Sequence, residues 1–234
     1  MVKSLAAVAA EPADFRMRLQ GVLERAAAAG DSEKVPVPGP YLTISREAGS
    51  GGAEIAHRLG ERLGWAVLDR ELVNELARRL ELEPRLLELM DETNVGWFSE
   101  TLLNLFNSRL VLQDSYVSML SRVIALAAFD GRVIIVGRGA NLVLPPDDGL
   151  RIRVVAPRAL RLTALAEREN LDRRTAGVRL DEVDSSRAEF IRRQFHADLR
   201  DATLYDLVVD SARFGFGGSA ELIYRALELR ALIG

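Results

Sequence analysis

The chain has 234 residues, 48% of them hydrophobic and 28% charged, enough to bury the core of one ordinary domain with at most a small appendage. A net charge of −3 gives no overall drive towards nucleic acid, and no apolar run approaches the length of a membrane span. Cysteine is absent and only His57 and His196 carry imidazole, which excludes disulfides and thiolate metal sites. Charge is unevenly spread, however. Residues 151–200 hold twelve arginines against eight acidic residues, a local excess that suits an anion site better than a nucleic-acid footprint.

The first ten residues are too weakly apolar for a signal peptide, so a cytoplasmic protein is expected. Phe15, Leu19, Val22, Leu23 and Ala26 recur at helical spacing up to Gly30, and the Pro-rich stretch 31–40 suits a linker. These features divide the chain into an appendage, 1–39, and a domain, 40–234. Within the domain, Tyr41-Leu-Thr-Ile-Ser-Arg-Glu-Ala-Gly-Ser-Gly-Gly52 reads as a buried strand running into a glycine turn, and Ile55, Leu59 and Leu63 continue it as a helix ending at Gly64. A second strand is predicted over 65–69. Residues 70–130 read as a helical excursion whose apolar positions serve either core packing or a dimer face over 97–130. Further strands are predicted at 133–136, 152–156 and 206–210, with helices after Pro157 and over 219–232. Strands alternating with helices predict an α/β fold with a doubly wound, five-stranded parallel sheet and helices on both faces.

The glycine turn is the main functional signal. Gly49, Gly51 and Gly52 allow a close anion approach, and amides of the loop and first helical turn would face the phosphates. The usual pattern G-x-x-x-x-G-K-[ST] places Lys on the β/γ-phosphates and a hydroxyl on Mg²⁺. Here Gly52 and Ala53 stand at those two positions. Arg46 is the cation available to replace the lysine, or else it pairs with Glu47. Ser45 or Ser50 would have to supply the hydroxyl, or water would fill the position. Asp69 ends a strand and either caps the next helix or binds ligand. The histidines read as surface or packing residues, and Tyr205 as core.

With this loop, Leu68-Asp-Arg-Glu-Leu72, Val136-Gly-Arg-Gly139 and the late Arg-rich segment in order, the chain resembles the cytidylate kinase-like family of P-loop nucleoside monophosphate kinases over residues 40–232. The resemblance implies a P-loop NTPase-like sheet with a helical insertion and an Arg-rich lid, and ATP and Mg²⁺ as cofactors. It implies transfer of the γ-phosphoryl group to CMP, dCMP or a related small acceptor. Arg138 would hold the acceptor phosphate, Asp69 would sit at the acceptor site, and the lid arginines Arg187, Arg192 and Arg193 would reach the transferring group. Where relatives have Gly-Arg-Asp, this chain has Gly139. The alternative is a catalytically degenerate fold that binds nucleotide as a sensor or docks a protein partner. The protein ligands of a metal stay open.

Overall fold

A computed structural model of the chain describes residues 39–71, 73–74 and 115–233. Strands β1 (Tyr41–Arg46), β2 (Ala66–Leu68), β3 (Val133–Val136), β4 (Gly149–Val155) and β5 (Leu207–Asp210) form one parallel sheet in the order β2-β3-β1-β4-β5. β1 is central, between β3 and β4. Because all strands run the same way, the loops after β1 and β3 leave the sheet at its carboxyl edge. That edge is where open α/β sheets bind ligands.

Side chains alternate across each strand, and the two faces are covered by different helices. Leu42 and Ile44 of β1, with Ile134, Ile152 and Val154, pack against Ile55 and Leu59 of α1 (Gly52–Leu63) and Ile223 and Leu227 of the last helix. Tyr41, Val133 and Ile135 turn the other way, onto Val117, Leu120 and Ile124 of α2 (Ser115–Asp130). The apolar face of α2 is therefore spent on the core. The rest of the predicted dimer face, like the appended helix at 11–30 and most of the linker, lies outside the described residues. Among the described residues no helix is long and apolar enough to cross a membrane.

After β3 comes the short α3 (Ala140–Val143), and after β4 a helical hairpin of α4 (Arg158–Glu169) and α5 (Arg173–Phe195). Asn170, left-handed at φ 52°, ends α4, and the Asp172 carboxylate accepts from the Arg174 and Thr175 amides to start α5. Leu162, Leu165, Ala176 and Leu180 join the two helices in a small core of their own, which also takes in Ala48 from the loop after β1. The Arg-rich segment is thus packed directly on the glycine loop.

Two boundaries differ from expectation. β4 begins at Gly149, three residues before the predicted start. The final helix, α6 (Ser211–Leu229), begins eight residues early, because the Asp210 carboxylate caps it by accepting from the Ala212 amide at 2.9 Å. The Phe-Gly-Phe-Gly-Gly stretch expected as a loop is helical except for a kink at Gly215, φ 63° and ψ 175°.

Candidate functional site

The loop from Glu47 to Gly51 is held in shape mainly by its own protein neighbours. Gly49 and Gly51 are left-handed, at φ 75° and 78°. A Cβ on Gly49 would strike the backbone of Arg161, with the Arg161 Cα 3.0 Å away, and one on Gly51 would enter the ring of Phe216. Both glycines are thus required by intramolecular contact and by backbone sign together. The Glu47 carboxylate accepts from the Ala156 amide at 3.2 Å and lies 3.2 Å from Arg161 Nε. Asp184, on α5, accepts from the Ala48 amide at 2.8 Å and pairs with the same Arg161. Arg161 also donates to the Ala48 carbonyl at 3.1 Å. One buried arginine therefore clamps loop, α4 and α5 together.

Ser50 turns inward. It is 1% exposed, and its hydroxyl lies 2.9 Å from the Glu47 carbonyl and 3.2 Å from that of Val154, so it serves the loop's interior and faces no metal. Gly51 caps α1 without a side-chain bond, which leaves the open amides of the first helical turn at the carboxyl edge.

Beside the loop lies a cavity of about 160 Å³. Four guanidinium groups line it, from Arg46, Arg70, Arg138 and Arg187. Arg70 pairs with Glu71 at 3.1 Å. Arg46, Arg138 and Arg187 have no carboxylate at ion-pair distance among the described residues. Glu47, the partner considered for Arg46, is taken up by Arg161, and more distantly by Arg153 at 3.8 Å. Burial first, and then the charges of Arg187, Arg138 and Arg70, push Arg46 down from the usual guanidinium range to about 10. Arg138 and Arg187 are lowered too, in each case first by burial and with Arg70 adding repulsion. Glu71 and Asp184 offset this repulsion only in part, and a cluster of cations of this kind is a candidate anion site.

Arg46 fills a particular place. A Cβ on Gly52 would meet Arg46 Cβ at 2.6 Å and Cγ at 3.0 Å, and one on Gly137 would meet the Arg46 guanidinium. The stem of a lysine at position 52 and the stem of Arg46 would therefore compete for one volume. Arg138 is held by a run of three left-handed residues, Gly137 at φ 84°, Arg138 at 54° and Gly139 at 69°, and its guanidinium carbon lies 5.6 Å from the Phe190 ring centroid. Left-handed backbone is costly for arginine, and such strain gathers at functional loops. Its buried Nε has no partner.

Of the lid arginines, the structure brings in Arg187 alone, whose Nη1 donates to the Arg46 carbonyl at 3.0 Å. Arg192 and Arg193 stand on the exposed side of α5, 67% and 69% accessible, both paired with Glu189. The double variant Arg192→Ala/Arg193→Ala is expected to change neither turnover by more than about twofold nor stability by more than about 0.5 kcal/mol, read by steady-state kinetics and thermal melts. Asp69 follows β2 and is outside the cavity lining, and its carbonyl accepts the Val73 amide at 3.0 Å.

Several lining residues were not singled out as site residues from the sequence, among them the polar Arg70, Asn141, Ser186 and Tyr205. Arg70 directly follows Asp69, so a helix starting there was signal enough. Tyr205 is 8% exposed as expected of core, yet its hydroxyl donates to the Leu199 carbonyl at 2.8 Å and lies 3.3 Å from Ser45 Oγ.

A family model for the cytidylate kinase-like family matches residues 41–213. The cytidylate kinase of Methanocella arvoryzae is 24% identical over 192 residues, which cover 80% of this chain and 96% of that one. The cytidylate kinase of Thermococcus kodakarensis is 23% identical over 192 residues, 80% of this chain and 87% of that one. A crystal structure of an uncharacterized protein from Eubacterium ventriosum shares the fold at a TM-score of 0.61 and 18% identity, covering 80% of this chain and 98% of that one. A match spanning both arginine-bearing loops and the α4–α5 hairpin makes the chain a member of the cytidylate kinase-like family.

Proposed function

We infer that the protein transfers the γ-phosphoryl group of ATP to a nucleoside monophosphate, with CMP or dCMP as the leading acceptors. The observation that carries this reading is Arg46, a cation without a carboxylate partner among the described residues, whose stem stands where a loop lysine would begin, with Gly52 and Gly137 giving it room. Arg46 then holds the donor's terminal phosphates beside the first amides of α1. Arg138 holds the acceptor phosphate, and Arg187 bridges the two from α5.

In the reaction an acceptor phosphate oxygen forms a bond to the γ-phosphorus, while the bond from that phosphorus to the β–γ bridging oxygen breaks and ADP leaves. Such a transfer needs positioning and charge stabilisation more than covalent help, and guanidinium forks supply both. Mg²⁺, held at Ser45 and the donor phosphates, would add shielding of the phosphate charge. The Glu47–Arg161–Asp184 clamp keeps α4 and α5 over the loop, which limits water at the transferring group.

Arg138→Ala tests the acceptor role. The acceptor KM is expected to rise at least tenfold and kcat to fall, with the KM for ATP within about twofold of wild type. Unchanged acceptor kinetics would remove Arg138 from the site. The inward turn of Ser50 favours a second reading, a nucleotide-binding sensor without turnover. That reading predicts saturable binding of ATP and no acceptor-dependent ADP release.

A further inference from the structure

The cavity beside the loop has two kinds of wall. One is cationic and presents the guanidinium groups. The other is apolar, formed by Leu142, Phe190, Ile191, Leu199 and Leu204. Asn141 is the neutral amide in the lining. It is 9% exposed, and its buried Nδ2 has no hydrogen-bond partner among the described residues. An unmade bond at a buried donor costs stability, so such groups stand where something else completes them.

We propose that Asn141 is a specificity residue that donates from Nδ2 to an uncharged acceptor atom of the substrate's base, while the arginines take the phosphate. This rests on the kinase reading above. Arg138, with Arg187 beside it, already supplies charged donors to the acceptor phosphate, so a neutral amide adds little there. An apolar wall with a few placed polar groups is how small-molecule pockets fix a flat, partly apolar ring, and Asn141 is the amide among them, beside the hydroxyls of Ser45, Ser186 and Tyr205. Gly139 brings no side chain to this region, since a Cβ there would enter the ring of Phe195. The backbone turn at residues 137–139 instead hands the contact on to Asn141, two residues later.

The test compares wild type with Asn141→Ala by titrating CMP, ribose 5-phosphate and inorganic phosphate. For CMP the affinity of the variant is expected to fall about three- to tenfold, the size of one lost hydrogen bond, while ribose 5-phosphate and phosphate stay within about twofold. Asn141→Leu, close in size and apolar, guards against a folding failure and is expected to show the same split. Equal losses for all three ligands would make Asn141 a phosphate ligand and overturn the inference, and unchanged CMP binding would overturn it as well. Wild type that binds CMP no better than ribose 5-phosphate would refute base recognition and leave the phosphate site standing. Wild type that binds none of the three would overturn both this inference and the function on which it rests.

Discussion

Arg46→Met is expected to make the protein more stable and, on the kinase reading, about 10²–10³-fold slower in phosphoryl transfer. Both effects come from the same feature. Burial of the Arg46 cation in the native site, and then the nearness of Arg187, Arg138 and Arg70, lower it from the usual guanidinium range to about 10. The charged form is therefore worse off in the folded protein than in the unfolded chain. Methionine keeps an unbranched stem between Gly52 and Gly137 and removes the charge. A gain of the order of 1–3 kcal/mol at neutral pH follows from the depressed value, or roughly 2–4 °C in Tm for each kcal/mol. The pH dependence has a fixed sign. Below about 10 both states carry the proton and the penalty is fully present. Above about 10, and up to the higher value of the unfolded chain, the unfolded chain binds more protons than the native one, so wild-type stability rises with pH and the advantage of the variant shrinks. Melts at pH 7 and above 10, with kinetics on the same samples, check both halves. A destabilised variant would mean that Arg46 is a structural residue, and an active one would take it out of the phosphate site.

The second large effect concerns the loop backbone alone. Gly49→Ala is expected to cost about 3–5 kcal/mol, because left-handed alanine is strained by roughly 1–2 kcal/mol and its Cβ would also strike the Arg161 backbone. Gly64→Ala is the control. Gly64 ends α1 at φ 64° but has nothing within 4 Å of a Cβ, so only the strain of about 1 kcal/mol applies. Denaturant unfolding of the two variants separates the terms. Equal costs would show that α4 does not rest on the loop.

Much of the fold could be read from local pattern. Val133–Val136 is an uninterrupted β-branched run and forms a strand with the predicted limits, and Gly64 stops α1 where expected. Site residues were less legible, for two physical reasons. Arg187 and Arg192 are five residues apart on one helix, which turns them roughly 140° from each other, and composition cannot say which of them faces the cavity. The clamp of Glu47, Arg161 and Asp184 joins residues more than a hundred positions apart, as in the Ala48 amide to Asp184 bond, and leaves no periodic trace in the chain. The glycines had a visible signature but an incomplete explanation. They admit Arg161, Phe216 and Arg46 at close range, contacts that the anion-loop pattern does not foretell.

The most direct measurement is ADP release from ATP and Mg²⁺ by the wild-type protein, with and without a panel of nucleoside monophosphates. The account predicts release that depends on the acceptor, fastest with CMP or dCMP, and lost in Arg46→Met. Nucleotide binding with no acceptor-dependent release would contradict it and leave a sensor built on a kinase fold.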